Sequence, residues 1–218
     1  YQPAEKLGGD FYNLRDLGDI LIGYMVDITG HGIDGSLLNI FVRETINSFL
    51  LSNPNLKKKD YLIRLMKFIT AKYQKEEFSD DYFISIILFT LDKESMKLTY
   101  TNAGFHIPPF LITAGEFISF EPIKEAPISP AIDLELYNFQ EKSFYLEQGS
   151  SLLITTDGLV EEKVDGQVYG IERLTNQFLQ YHSQSPQKIR EEIVTDFQNF
   201  SGAESGKDDL TLLILKRD

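Results

Sequence analysis

The chain has 218 residues, no cysteine and a net charge of −12. The length suits one domain of ordinary size, and a 42% hydrophobic share is enough to bury a core. Absent thiols exclude disulfides, cysteine nucleophiles and cysteine metal sites, and the acidic balance argues against nucleic acid, whose phosphates such a surface repels.

The chain opens with strand-like segments. Residues Asp10 to Tyr12 read as extended, Leu17-Gly18-Asp19 as a turn, and Ile20 to Val26 as a second strand rich in β-formers. Gly30, Gly32 and Gly35 punctuate a loop. Ser36 is placed to cap a first helix carrying Leu37, Leu38, Ile40, Phe41 and Ile46, and Asp60 a second with Leu62, Leu65, Met66, Ile69 and Tyr73 on one stripe. Between them Lys57-Lys58-Lys59 reads as a solvated loop. Strands are predicted over 82–91, 97–101, 110–113, 117–120, 134–145 and 152–156, helices over 171–181 and 186–200, and a last strand over 210–215. Pro186 suits a first helical position. Grouped strands with paired helices predict an α+β fold, two mostly antiparallel sheets each covered by a helix pair. No linker divides the chain, so residues 1–218 are expected to form a single domain. The first residue is not methionine, which predicts a C-terminal piece of a longer protein. No apolar run reaches the roughly 20 residues of a membrane span and no signal pattern opens the chain. A cytoplasmic domain without membrane contact is expected, although the full-length protein could be anchored through its N-terminal part.

Carboxylates recur at the ends of these strands. Pairing about Gly18 and Asp19 sets Asp10 of Gly8-Gly9-Asp10 opposite Asp27 of Val26-Asp27-Ile28-Thr29-Gly30-His31-Gly32. Two like charges so placed repel unless protonated or neutralised by cations, and a backbone carbonyl there can also ligate a hard metal. Asp157 ends an apolar strand, and Asp208-Asp209 begins one. Each motif alone has a plain structural reading: a loop at Gly8-Gly9-Asp10, a turn at Asp157-Gly158, a charged strand entry at Asp208-Asp209 and another turn at Asp80-Asp81. Together they supply an oxygen-only donor set suited to Mg²⁺ or Mn²⁺.

Taken in order, these stretches carry a resemblance. They are Pro3 to Tyr12, Val26 to Gly32, Thr101-Asn102-Ala103-Gly104 with His106 and Pro108-Pro109, Leu152 to Glu161, and Asp208 to Leu215. The chain resembles the SpoIIE-like and RsbU-like branch of the PPM (protein phosphatase 2C) family. The resemblance implies a four-layer αββα sandwich with two divalent ions, Mn²⁺ or Mg²⁺. By motif, Asp27 would bridge the ions, the Ile28 carbonyl would ligate one, Asp157 and Asp208 would hold the other, and Asp10 would contact the site directly or through water. Asp208 rather than Asp209 is the expected ligand, since the first acid of the family pattern binds metal. The implied substrate is a phosphorylated protein, by analogy a STAS-domain anti-anti-sigma factor in bacterial partner switching. A homodimer through an N-terminal part outside this sequence is a further expectation. Two departures fall on the substrate-facing rim: Phe105 intervenes before His106, and Ala126-Pro127-Ile128-Ser129-Pro130 stands where a glycine-rich element is usual. Thr29 occupies the position where animal-type members carry a histidine, so His31 is assigned to shaping the glycine turn. Two competing readings remain: a non-catalytic binding module of the same fold, and a diguanylate-cyclase-like enzyme suggested by Gly8-Gly9-Asp10-Phe11. The second leaves the late aspartates without a role.

Overall fold

The computed structural model describes residues 1, 8–29, 32–76, 78, 79, 81–118, 120–202 and 208–218, with the backbone alone at 32–34. Of the residues singled out above, Pro3 to Leu7, Gly30, His31 and Asp80 lie outside these. In chain order the elements are β1 (Phe11–Asp16), β2 (Ile20–Ile28), α1 (Gly32–Ser52), α2 (Tyr61–Tyr73), β3 (Ile84–Asp92), β4 (Lys97–Ala103), β5 (Phe110–Thr113), β6 (Glu116–Ile118), β7 (Lys142–Tyr145), β8 (Ser151–Thr155), β9 (Lys163–Val164), β10 (Gln167–Val168), α3 (Gly170–Tyr181), α4 (Pro186–Ser201) and β11 (Leu212–Lys216). They form two compact units interleaved along the chain. Described residues within 8–106 and 123–145 make the first, and residue 1, 107–122 and 146–218 the second. Among the described residues no helix is long and apolar enough to cross a membrane.

The first unit holds a five-stranded antiparallel sheet ordered β1-β2-β3-β4-β7. Side chains alternate along β2. Ile22, Tyr24, Val26 and Ile28 join Ile84, Ile86 and Leu88 of β3 in a core closed by Leu38, Val42 and Ile46 of α1 and Leu62, Leu65, Met66, Ile69 and Tyr73 of α2. Each such fully buried side chain contributes about 1.5–3 kcal/mol. The stripe expected on α2 is therefore the one buried. On α1 the expectation needs correction. The helix begins at Gly32, so Ser36 lies inside it, and Leu37 and Ile40 are 56% and 59% exposed. Apolar residues surround this helix on several sides, and the sheet selects Leu38, Val42, Ile46 and Phe49 from among them.

Asp60 does precede α2, but in a left-handed conformation (φ 56°) and with no side-chain cap. Glu141 caps the helix instead, its Oε1 accepting from the amides of Leu62 (2.9 Å) and Ile63 (3.2 Å). A carboxylate at this end also meets the positive pole of the helix. Glu141→Ala is expected to lower unfolding stability by about 1–2 kcal/mol, with Glu141→Gln restoring part of it; urea denaturation of the three proteins measures this, and an unchanged midpoint in Glu141→Ala would remove the cap. The strand expected over 134–145 is half realised. Leu134–Leu136 form a 3₁₀ turn, and Tyr137 and Phe139 stack with centroids 5.0 Å apart. The Tyr137 hydroxyl donates to Pro127 O (2.8 Å) and accepts from Ser129 N (2.9 Å).

The second unit holds an antiparallel sheet ordered β11-β8-β5-β6. Ile112, Leu153 and Leu210 pack with Leu174 and Phe178 of α3 and Ile189, Ile193 and Phe197 of α4. Ser185 caps α4, its hydroxyl accepting from Lys188 N, with Pro186 in the first turn as predicted. Arg173 ties α3 to α4 through two hydrogen bonds to Asp196 (2.7 and 2.8 Å). Its guanidinium also lies 5.2 Å from the ring centroids of both Tyr169 and Phe200. The hairpin β9–β10 is an element the sequence reading does not contain. It turns on Asp165 and Gly166, both at positive φ (50° and 80°), the conformation for which Asp-Gly is a preferred pair.

Candidate metal centre

In the first unit the register Phe11↔Val26 puts Asp10 one step beyond the last pair, opposite Asp27. Phe11 packs edge-on against Tyr24, their centroids 5.8 Å apart, so β1 turns Phe11 toward the helices and its neighbour Asp10 toward the other face. Asp27 alternates with Val26 and Ile28 and shares that other face with Met25. Asp10 is only 4% exposed and Asp27 is half-buried. Asn39 of α1 holds the preceding loop, its amide reaching Gly8 O at 3.4 Å. Ile28 ends β2 with its side chain buried. Thr29 then fastens the exit: its amide donates to Phe83 O (3.1 Å) and its hydroxyl accepts from Phe83 N (2.7 Å).

Across the sheet Asp27 faces Ser85, and beyond Ser85 comes Gly104. A Cβ on Gly104 would stand 2.6 Å from Ser85 Oγ, and its φ is +85°, so two separate constraints require glycine there. Asn102 brackets the turn that follows. Its Oδ1 accepts from Phe105 N (3.0 Å), and its amide donates to the Phe105 and Ile123 carbonyls. The inserted Phe105 is thus held by the asparagine of the same motif, with its side chain buried.

In the second unit, hydroxyls bolt β8 to the start of β11. Thr156 N donates to Thr211 O (3.1 Å), Thr211 N to Thr156 Oγ1 (3.2 Å), and Thr155 Oγ1 to Thr211 O (2.9 Å). Asp157 follows and opens a 3₁₀ turn. Gly158 is not a turn glycine with positive φ. It is a contact glycine: a Cβ would lie 2.1 Å from Asp209 O and 3.3 Å from Asp208 Cβ. The Asp157-Gly158 and Asp208-Asp209 motifs therefore touch backbone to backbone. Asp208 is exposed, with Oδ1 accepting from Asp209 N (2.8 Å), whereas Asp209 is 7% exposed.

Glu161 is an acid that sequence reasoning passes over. Its amide donates to Asp157 O at 2.8 Å, so the two residues sit one turn apart, and carboxylate oxygens of the pair lie within 4.8 Å of each other. The signal is present as the four-residue spacing at the end of the Leu152 to Glu161 stretch. The structure thus brings Asp10, Asp27 and Ile28 together in the first unit and Asp157, Asp208 and Glu161 in the second. Each group offers only oxygen donors at a strand end, and a nearly buried Asp10 beside Asp27 is a placement that a hard divalent cation relieves.

The family described as Stage II sporulation protein E (SpoIIE) matches residues 19–218. Protein IcfG of Synechocystis sp. is 26% identical over 187 residues, which are 75% of this chain and 28% of that protein. The chain thus spans little more than a quarter of that relative. Among solved structures, the SiaA-PP2C domain of Pseudomonas aeruginosa is 20% identical, with a TM-score of 0.82 over 100% of this chain and 84% of that one. The RsbU and RsbW domains of Rv1364c from Mycobacterium tuberculosis are 21% identical, with a TM-score of 0.76 over 98% of this chain and 56% of that one. At these identities the likeness to solved structures is one of fold: antiparallel sheets and helix pairs arranged as in PP2C-type phosphatase domains.

Proposed function

Because the chain belongs to the stage II sporulation protein E (SpoIIE) family, we propose that it is a metal-dependent phosphatase acting on phosphoserine or phosphothreonine of a regulatory protein. The observation that carries this reading is the Gly158 contact, which locks Asp157 onto the Asp208-Asp209 backbone, alongside the register that sets Asp10, one step past the Phe11–Val26 pair, opposite Asp27 in the other unit. The first is built by a close backbone contact and the second by strand register with Asp10 nearly buried, which loose surface acids would not require.

In this proposal Asp27, the Ile28 carbonyl, Asp157 and Asp208 hold two Mn²⁺ or Mg²⁺ ions, with Asp10 and Glu161 ligating directly or through water. Bound ions of this kind lower the pKa of water and stabilise charge on a transferring phosphoryl group. The residues supply the rest. The Thr155 and Thr156 hydroxyls, bonded to the Thr211 backbone, fix the strand end from which Asp157 projects, and Thr29 and Asn39 fix the two loops beside Asp27. With no cysteine in the chain, a cysteinyl-phosphate route is closed, and in this reading the nucleophile is water. The neighbour that joins RsbU and RsbW domains in one protein supports a regulatory-protein substrate. We assign a STAS-type anti-anti-sigma phosphoprotein as the first candidate, in the cytoplasm. A homodimer formed through sequence outside this chain belongs to the same proposal.

The test is turnover of a phosphoserine STAS protein by the purified domain. Excess chelator is expected to abolish hydrolysis and added Mn²⁺ or Mg²⁺ to restore it. Full activity in chelator would overturn the metal mechanism. Tight metal binding without turnover of any phosphoprotein would favour a binding module of the same fold.

A further inference from the structure

The helix-facing side of the first sheet changes character along its length. The rows Val26–Ile86–Ala103 and Tyr24–Leu88–Thr101 pack beneath the helices. The next row reads Ile22–Thr90–Thr99–Ser143, a ladder of hydroxyls across three strands, and the last carries Asp92 and Lys97. Over these two rows the loop between α1 and α2 arches without filling the space. A recess of about 290 Å³ remains, floored by Thr90, Thr99 and Ser143 and rimmed by Lys57, Lys58, Lys59 and Lys97. It has room for roughly ten waters.

The charges around this recess are unequal in availability. Asp92 is engaged by Lys57 at 3.1 Å and accepts from the amides of Glu94 (3.0 Å) and Ser95 (2.9 Å). Glu141 is used by the start of α2. Asp60 is in no ion pair among the described residues, and Glu141, bound only to amides, is not matched by a cation there either. Against them stand Lys58, Lys59 and Lys97, exposed and in no ion pair among the described residues. The ladder itself is half committed, with Thr99 and Ser143 sharing one hydrogen bond of 2.8 Å and retaining further donor and acceptor capacity. The lining carries four lysines and three acids, with Asp19 and Glu94 also acting on Lys57, so on a chain of net charge −12 the recess is close to balanced, and what it offers an anion is three ammonium groups without an ion-pair partner among the described residues. It lies on the opposite face from Asp27 and five residues away along β2, about 17 Å at ~3.3 Å per residue, so it is separate from the metal centre.

We propose that this recess binds a small hydroxylated phosphate ester of the sugar-phosphate class, the phosphate on Lys58, Lys59 and Lys97 and the hydroxyls on the Thr90–Thr99–Ser143 ladder. The paired hydrogen-bonding demand is what selects this class. Ammonium groups alone would take any anion, while a hydroxyl ladder rewards a ligand that both donates and accepts.

The experiment titrates the protein with ribose 5-phosphate, ribose and inorganic phosphate while following backbone amides by NMR. Ribose 5-phosphate is expected to shift amides within 56–62, 90–99 and 141–143 with a dissociation constant at or below ~1 mM. Inorganic phosphate should bind there at least ~10-fold more weakly. Replacing Lys58, Lys59 and Lys97 by Ala, all exposed positions that leave the core intact, should weaken binding of the ester by ~10-fold or more. No shift at these amides, or affinity unchanged by the lysine substitutions, overturns the site. Phosphate binding as tightly as the ester overturns the sugar-phosphate assignment.

Discussion

Asp27→Asn and Asp157→Asn are each expected to lower turnover of a phosphoserine substrate by ~10²-fold or more. Asparagine keeps the shape of the side chain and removes the charge that a divalent cation needs, so the loss reports ligation rather than packing. The fold should survive. Asp27 sits beside a 4% exposed Asp10, and removing one of two facing carboxylates relieves repulsion when no cation is bound. Thermal unfolding in chelator should therefore show a midpoint equal to or above that of the parent protein. One variant comes from each unit, which allows a stricter check. If both aspartates serve one chemical step, the double variant should lose little more than either single one, because groups that act together are not additive. Retention of activity by Asp27→Asn at saturating Mn²⁺ would end the bridging assignment, and additive losses would separate the roles of the two residues.

Gly158→Ala is the second change expected to have a large effect, and it acts through sterics alone. Its Cβ would be placed 2.1 Å from Asp209 O, against a backbone pinned by the Thr156–Thr211 hydrogen bonds. Neither side can yield cheaply, so a loss of about 2–3 kcal/mol in stability is expected, accompanied by weaker metal affinity as Asp157 and Asp208 are pushed apart. Gly166→Ala is the matched control. Nothing lies within 4 Å of its Cβ, but its φ is +80°, so it should cost only the ~1 kcal/mol of a left-handed alanine. Should Gly158→Ala prove no less stable than Gly166→Ala, with metal affinity intact, the contact is not what holds the two motifs together.

Strands flanked by clear turn residues are legible in the sequence. β5 runs over Phe110–Thr113, as β-propensity and its neighbours predict, and the apolar run ending at Thr156 is β8. The candidate aspartates stand out because hard-metal chemistry restricts donor types and because strand ends are where such donors can converge. Three features are hidden for physical reasons. The buried face of α1 cannot be chosen from sequence because leucines, isoleucines and phenylalanines occupy more than one side of it. The cap of α2 comes from Glu141, far along the chain, where no local pattern announces it. Gly158 reads as a turn residue because Asp-Gly favours turns, whereas the reason for glycine there is the carbonyl of a residue that arrives at the end of the chain. Asp165-Gly166 is the opposite case, a turn pair that does form a hairpin, between strands too short to leave a pattern of their own.

The order of strands in the first sheet also sets a schedule for biosynthesis. β4 ends at Ala103, yet the strand that covers its outer edge, β7, starts only at Lys142. During translation the nascent chain must emit roughly forty more residues, about 2–8 s at typical elongation rates, before that edge can be paired. Part of the intervening stretch, β5 and β6, belongs to the other unit. Until β7 arrives the seven-residue β4 is the border on this side of the sheet, and afterwards that place passes to the four-residue β7, a shorter edge that recruits other strands less readily. Chaperone demand on this protein should accordingly be concentrated in the middle of its synthesis, between the completion of β4 and the emergence of β7.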